Sequence, residues 1–157
     1  MSQLRSTQHA TFVIERAYLA PPARVFAAWA SADAKARWFS GPADKWTLKQ
    51  RELDFRVGGR ELLVGSFTGG AVSAFESRYQ DIVPNQRIVY SYDMHIEDRR
   101  ISVSLATVVF EVSGVGTKLT LTEQGVFLDG LDTPTSREAG TRALLENLDA
   151  ALLRDTE

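Results

Sequence analysis

The sequence predicts an α+β fold in which a curved antiparallel sheet of six to seven strands wraps around one long C-terminal helix, with two short helices after the first strand. Three observations carry this. Runs of alternating apolar and polar residues fill the middle of the chain, separated by Gly, Pro and Asn turn signals. A stretch with apolar residues at i, i+3, i+4 and i+7 closes the chain from Pro134. Between the first and second strand lies an aromatic-rich helical stretch ending in "RWFSGP".

Residues 1–9 are polar and aperiodic and read as a loose tail, leaving 10–157 as a single domain. From Ala10, "ATFVIERAYL" sets Phe12, Ile14, Arg16 and Tyr18 on one face of a strand. Pro21 and Pro22 end it. Proline in a first helical turn sacrifices no intrahelical bond, so "PPARVFAAWA" reads as a short helix with Val25, Phe26 and Trp29 inward. Asp33 is the expected cap of a second short helix, "DAKARWF". Trp46 to Val57 reads as extended up to a Gly58-Gly59 turn, and Arg60 to Phe67 returns. Thr68 to Gly70 turns into "AVSAFESRYQDIV", and Pro84-Asn85 separates that run from "RIVYSYDMHI", where Ile88, Tyr90, Tyr92 and Met94 share a face. After a turn at Glu97 to Arg100, a strand runs from Ile101 to Val112; beyond Gly114 to Gly116, Thr117 to Gln124 points Leu119 and Leu121 inward. In the closing helix Thr141, Leu144, Leu145, Leu148, Ala151 and Leu152 form the apolar stripe, with Arg137, Arg142, Glu146, Asn147 and Arg154 placed on the other face.

At 157 residues the chain suffices for one core, removing roughly 70% of the unfolded surface from water. Eighteen basic and twenty acidic residues give a net charge of −2, so no overall field favours nucleic acid or anionic lipid. Cysteine is absent, which excludes thiolate nucleophiles, iron–sulfur ligation and cysteine-based zinc sites. No run approaches the length of a membrane span and none has the apolar core of a signal peptide, so a cytoplasmic location is expected.

No hydrolase elbow, zinc-protease helix or phosphate loop is present; "GVGTK" from Gly114 leads into a strand and reads as a hairpin turn. His9 and His95 are isolated, so no metal site and no cofactor is expected. Glu52 with Asp54, and Asp129 with Asp132, read as solvated charge. No convincing catalytic constellation emerges. The positive signal is aromatic: Trp38, Phe39, Phe67, Tyr79, Tyr90, Tyr92 and Phe127 fall where the sheet would turn them toward the helix, beside Met94, Leu144 and Leu148. Buried tyrosine hydroxyls need partners and supply the few polar groups that an apolar ligand pocket requires, while Ser102, Ser104 and Thr107 would leave space. These aromatic and aliphatic residues are the expected ligand pocket, with Trp38 and Phe39 at its mouth.

The segments "PPARVFAAWASADAKARWFSGP", "RVGGRELLVG", "YQDIVPNQRIVYSYDM", "VVFEVSGVGTKLTLTEQG" and "REAGTRALLENLDAALL" resemble the SRPBCC superfamily, the START-like or Bet v 1-like helix-grip proteins. Within it, the chain is similar to the branch named after the C-terminal domain of the activator of Hsp90 ATPase, over roughly residues 10–154. That resemblance implies a cavity between sheet and helix that binds a small hydrophobic or aromatic molecule. It also raises two alternatives: an Hsp90 co-chaperone-like module, and a cyclase- or hydrolase-like enzyme using pocket tyrosines and acids. Much of the branch has Gly-Trp in the closing helix where this chain has Gly140-Thr141, which would re-shape that end of the pocket. The activator's additional N-terminal domain does not fit in this length, so binding to an Hsp90-type chaperone is not expected. The expected partner is a small apolar ligand; a homodimer is left open.

Overall fold

The computed structural model describes residues 4–154. Strand β1 (Thr7–Tyr18) is followed by α1 (Pro22–Ala27) and α2 (Ala32–Ala36), then β2 (Trp46–Leu53), β3 (Arg60–Phe67), β4 (Val72–Val83), β5 (Arg87–Ile96), β6 (Arg99–Ser113), β7 (Gly116–Leu128) and α3 (Pro134–Arg154). The seven strands form one antiparallel sheet in the order β1-β7-β6-β5-β4-β3-β2. The meander from β2 to β7 places each strand beside its successor, and β1 returns to pair with β7. The predicted architecture holds, with seven strands.

Curvature has a local cause. The pairing register shifts by one residue between Leu48 and Gln50, between Tyr79 and Asp81, and between Met94 and His95. An extra residue on one strand bends it and increases its twist, so three such irregularities, with the extra residue on β2, β4 and β6, curl the sheet. Tight turns use the backbone conformations the sequence allowed: Asn85, Gly58, Gly69, Gly70 and Gly114 all have positive φ.

The concave face and α3 share one core. Phe12, Ile14 and Tyr18 of β1, Ile88 and Tyr90 of β5, Val108 and Phe110 of β6, and Leu119 and Leu121 of β7 are buried beneath Leu145, Leu148, Ala151 and Leu152. Tyr18 donates its hydroxyl to the Leu145 carbonyl at 2.9 Å, and Arg24 donates to the Leu152 carbonyl at 2.8 Å. The second bond ties α1 to the last turn of α3, where carbonyls lack intrahelical partners.

Several local expectations need correction: β2 ends at Leu53 instead of running extended to Val57, β6 starts at Arg99 within the expected turn, and Asp132, expected to be solvated, is paired with Arg137 at 3.0 Å. Strand β1 starts at Thr7, so Thr7, Gln8 and His9 pair with Leu128, Phe127 and Val126 instead of lying in a tail; residues 1–3 lie outside the described residues. The cap of α2 is Ser31, whose hydroxyl accepts from the Ala34 amide at 3.1 Å, while Asp33 sits in the first turn. Strand β7 extends four residues past Gln124 to Leu128, carrying Phe127 inward. Arg137 does not lie on the solvated face of α3: its side chain is 11% exposed.

Candidate functional site

Directly paired residues share a face of the sheet, so the register shows what lines the concavity. One row runs Glu61, Ser77, Tyr92, Ser104, Gly125 across β3 to β7. The adjacent row runs Tyr79, Tyr90, Ala106, Glu123 and ends on Phe12 of β1. Polar and charged side chains therefore sit among the aromatic rings of the concave face, reached from α2 at one end and from α3 at the other.

At one end, Lys35 of α2 reaches Glu61. Both side chains are almost wholly buried, at 2% and 3% exposure, with Nζ 2.6 Å from Oε1. The Tyr79 hydroxyl donates to the same oxygen at 2.8 Å. Rings of Phe39, Trp29, Tyr90, Trp38 and Tyr79 surround the ammonium, with centroids 4.5 to 6.0 Å away. Burial lowers the Lys35 pKa, and the Glu61 charge opposes that shift. The pair is what lets a lysine end the second short helix inside the core, since an isolated ammonium there would be expelled or neutralised.

At the other end, Arg137 of α3 donates to the Tyr92 hydroxyl at 2.9 Å, to Ser102 Oγ at 2.7 Å and to Asp132 Oδ2 at 3.0 Å. Tyr92 in turn donates to Glu123 Oε2 at 2.8 Å, and an Arg137 nitrogen lies 3.8 Å from that oxygen. The guanidinium lies 5.2 Å from the Phe127 ring centroid and 5.6 Å from that of Tyr92. Burial raises the Glu123 pKa, opposed by the Tyr92 hydrogen bond and the Arg137 charge. Burial likewise pushes the Tyr79, Tyr90 and Tyr92 phenols above their ordinary value, so all three are neutral hydrogen-bonding groups at neutral pH.

Between the two clusters runs an aromatic floor. Tyr79 and Tyr90 have centroids 6.2 Å apart, Tyr90 and Tyr92 6.1 Å, and Phe75 and Tyr92 4.7 Å. Phe39 leans on Phe75 at 5.1 Å, and Trp38 on Phe39 at 5.7 Å. On this floor Ser77 and Ser104 are 4% and 3% exposed, yet their hydroxyls lack a partner of hydrogen-bonding geometry. Ser104 Oγ leans beside Glu123 and helps hold its charge. It also lies over Gly125, where a Cβ would come within 2.9 Å of it.

Of the residues expected to line a pocket, the structure brings together Trp38, Phe39, Tyr79, Tyr90, Tyr92 and Leu148 in one buried cluster, with Met94 and Leu144 partly buried against it. Phe127 is buried under the Arg137 guanidinium. Phe67 is not part of this cluster: it is 37% exposed at the end of β3, opposite Trp46. Trp46 instead covers β3, its indole lying where a side chain on Gly65 or Gly41 would stand. Trp38 is fixed by its indole N–H donating to the Ala28 carbonyl at 2.9 Å.

Sequence reasoning missed Lys35, Glu61, Ser77, Glu123 and Arg137. The signals were present. Glu61 has the strand parity of Leu63, and Glu123 that of Leu119 and Leu121. Lys35 precedes Trp38 and Phe39 by three and four residues, and Arg137 precedes Thr141, Leu144 and Leu148 by four, seven and eleven, on the apolar stripe itself. A charge at an apolar position marks either a paired core group or a site.

Residues 19–153 match the family described as activator of Hsp90 ATPase homolog 1-like protein. A structure from Rhizobium leguminosarum is 47% identical over 97% of this chain and 99% of that one, with a TM-score of 0.92. A protein from Rhizobium loti is also 47% identical, over 93% of this chain and 99% of its own, with a TM-score of 0.85. An AHSA1-like protein from Aeromonas hydrophila, 21% identical over 94% of each chain with a TM-score of 0.69, shares the fold. No curated protein matches the chain.

Proposed function

The chain belongs to the activator of Hsp90 ATPase homolog 1-like family, and from that premise we propose that it binds a small aromatic or hydrophobic molecule between the concave face of the sheet and α3. The observation that carries this reading is a buried aromatic floor holding polar groups with unmet hydrogen-bonding capacity, Ser77 and Ser104. Ligand sites combine apolar walls with few convergent polar groups, and a buried unsatisfied hydroxyl costs stability that a purely structural core has no reason to retain. The two internal charge clusters point the same way, because a buried ion pair is often no more stabilising than apolar residues of equal volume. The ligand enters where Trp38 and Phe39, between α2 and β2, cover the floor. Arg51 holds this cover in place by donating to the Phe39 carbonyl at 2.8 Å.

Native mass spectrometry of the protein purified from its own host tests the reading. A small-molecule adduct that is lost on denaturation supports it. A bare polypeptide mass, together with no thermal shift from any aromatic compound in a broad screen, overturns it.

A further inference from the structure

Within the binding function proposed above, on which this inference rests, we propose that the Ser77–Tyr92–Ser104 row is a subsite for a neutral hydrogen-bonding group on the ligand, a phenolic or alcoholic hydroxyl or a ketone oxygen. The ligand class is thus an uncharged, oxygen-bearing aromatic compound, neither a carboxylate nor an amine.

Register supplies the geometry. Ser77 and Ser104 flank Tyr92 on neighbouring strands, each directly paired with it. Both hydroxyls are buried and lack a partner of hydrogen-bonding geometry, and a hydroxyl can donate as well as accept. A ligand hydroxyl or carbonyl lying over the row meets the unmet capacity of Ser77 outright, and at Ser104 adds a partner to a hydroxyl that so far only leans beside Glu123 and Tyr92.

Charge supplies the selectivity. Ser77 is paired directly with Glu61 across β3 and β4, and Ser104 lies diagonal to Glu123 on β7. Each of those carboxylates already has its own cation, Lys35 at 2.6 Å and Arg137 at 3.8 Å. A ligand anion on the row would face two buried carboxylates, and a ligand cation would compete with the ammonium at one end and the guanidinium at the other. Either would be a desolvated charge without a counter-ion of its own. Arg51 reaches toward Glu61 from β2 with its Nε buried, but its guanidinium is held by the Phe39 carbonyl at 2.8 Å, and Asp132 is already paired with Arg137 at 3.0 Å. A neutral group is the one polar group that meets no such penalty.

The test uses four probes on one two-ring scaffold: biphenyl, 4-phenylphenol, biphenyl-4-carboxylate and (biphenyl-4-yl)methylammonium. Affinities are measured by calorimetry for the natural protein and for the double variant Ser77→Ala/Ser104→Ala. The phenol is expected to bind about tenfold more tightly than biphenyl, the worth of one or two hydrogen bonds to groups otherwise unsatisfied, and both charged probes more weakly than the phenol. The double variant is expected to lose the phenol preference while keeping its affinity for biphenyl. Its melting temperature is expected to change little, since Ser77→Ala removes an unsatisfied hydroxyl while Ser104→Ala also removes the hydroxyl beside Glu123. Equal binding of all four probes, tighter binding of a charged one, or a phenol preference that survives in the double variant overturns the subsite while leaving the apolar pocket standing. Failure of all four to bind removes the pocket and the subsite together.

Discussion

Glu123 shows how burial on the concave face becomes a measurable property. Its pKa is raised above 4.5, first by loss of hydration, against the Tyr92 hydrogen bond and the Arg137 charge. Between the ordinary carboxylate value and the raised one, the folded protein binds more protons than the unfolded chain. Stability from this group is therefore present at low pH and falls as pH rises through that window. Glu123→Gln cannot ionise, so the unfolding free energy of the natural protein minus that of the variant should decline from about pH 4.5 upward and then level off. A difference that is flat across the acidic range contradicts the raised value. Lys35 and Glu61 make a second residue-scale prediction. Removing either partner alone leaves a buried charge uncompensated and should cost about 3–5 kcal/mol. The double variant Lys35→Met/Glu61→Leu should lose far less than the two single losses added together. Urea denaturation of Lys35→Met, Glu61→Leu and the double variant measures this, and simple additivity would show that the pair does not act as a unit. Both clusters lay within reach of sequence parity. Only Arg137 is placed on the solvated face by the sequence reading, and Lys35, Glu61 and Glu123 are not singled out there, although periodicity at Glu61, Glu123 and Arg137 points inward.

At the scale of the element, α3 shows what periodicity reads well and where it misleads. The stripe through Leu145, Leu148, Ala151 and Leu152 is buried as expected, with Leu148 fully inaccessible. Leu148→Ala should cost about 2–5 kcal/mol, the loss of buried methyl groups plus the cavity left behind. An unchanged denaturation midpoint would mean that α3 does not pack on the sheet as described. The first turns of the same helix depart from the pattern because Arg137 folds its guanidinium inward, onto Tyr92 and Ser102. A long cationic side chain can follow the apolar face when bonds await its head group, and those bonds come from β5 and β6, far away in sequence. The strands were legible from alternation and from Gly and Asn turn residues. Their bulges were not, since the shifts at Tyr79/Asp81 and Met94/His95 depend on pairing with neighbouring strands.

Across the whole molecule, the sheet order and the single long helix follow from a chain of hairpins that buries one face against α3 and the two short helices. That face carries most of the aromatic residues expected for a pocket, while Phe67 lies apart at the end of β3. It also carries two ion clusters and a row of small polar residues that composition alone does not distinguish from core. No helix among the described residues is long and apolar enough to cross a membrane. The central claim is that this buried face receives a small aromatic molecule, and amide NMR during titration with 4-phenylphenol tests it most directly. The account predicts saturable shifts concentrated on Ser77, Tyr90, Tyr92, Ser104, Glu123 and the facing turns of α3. Spectra that do not change, or shifts confined to the convex face around His9, Val103 and Leu105, would contradict it.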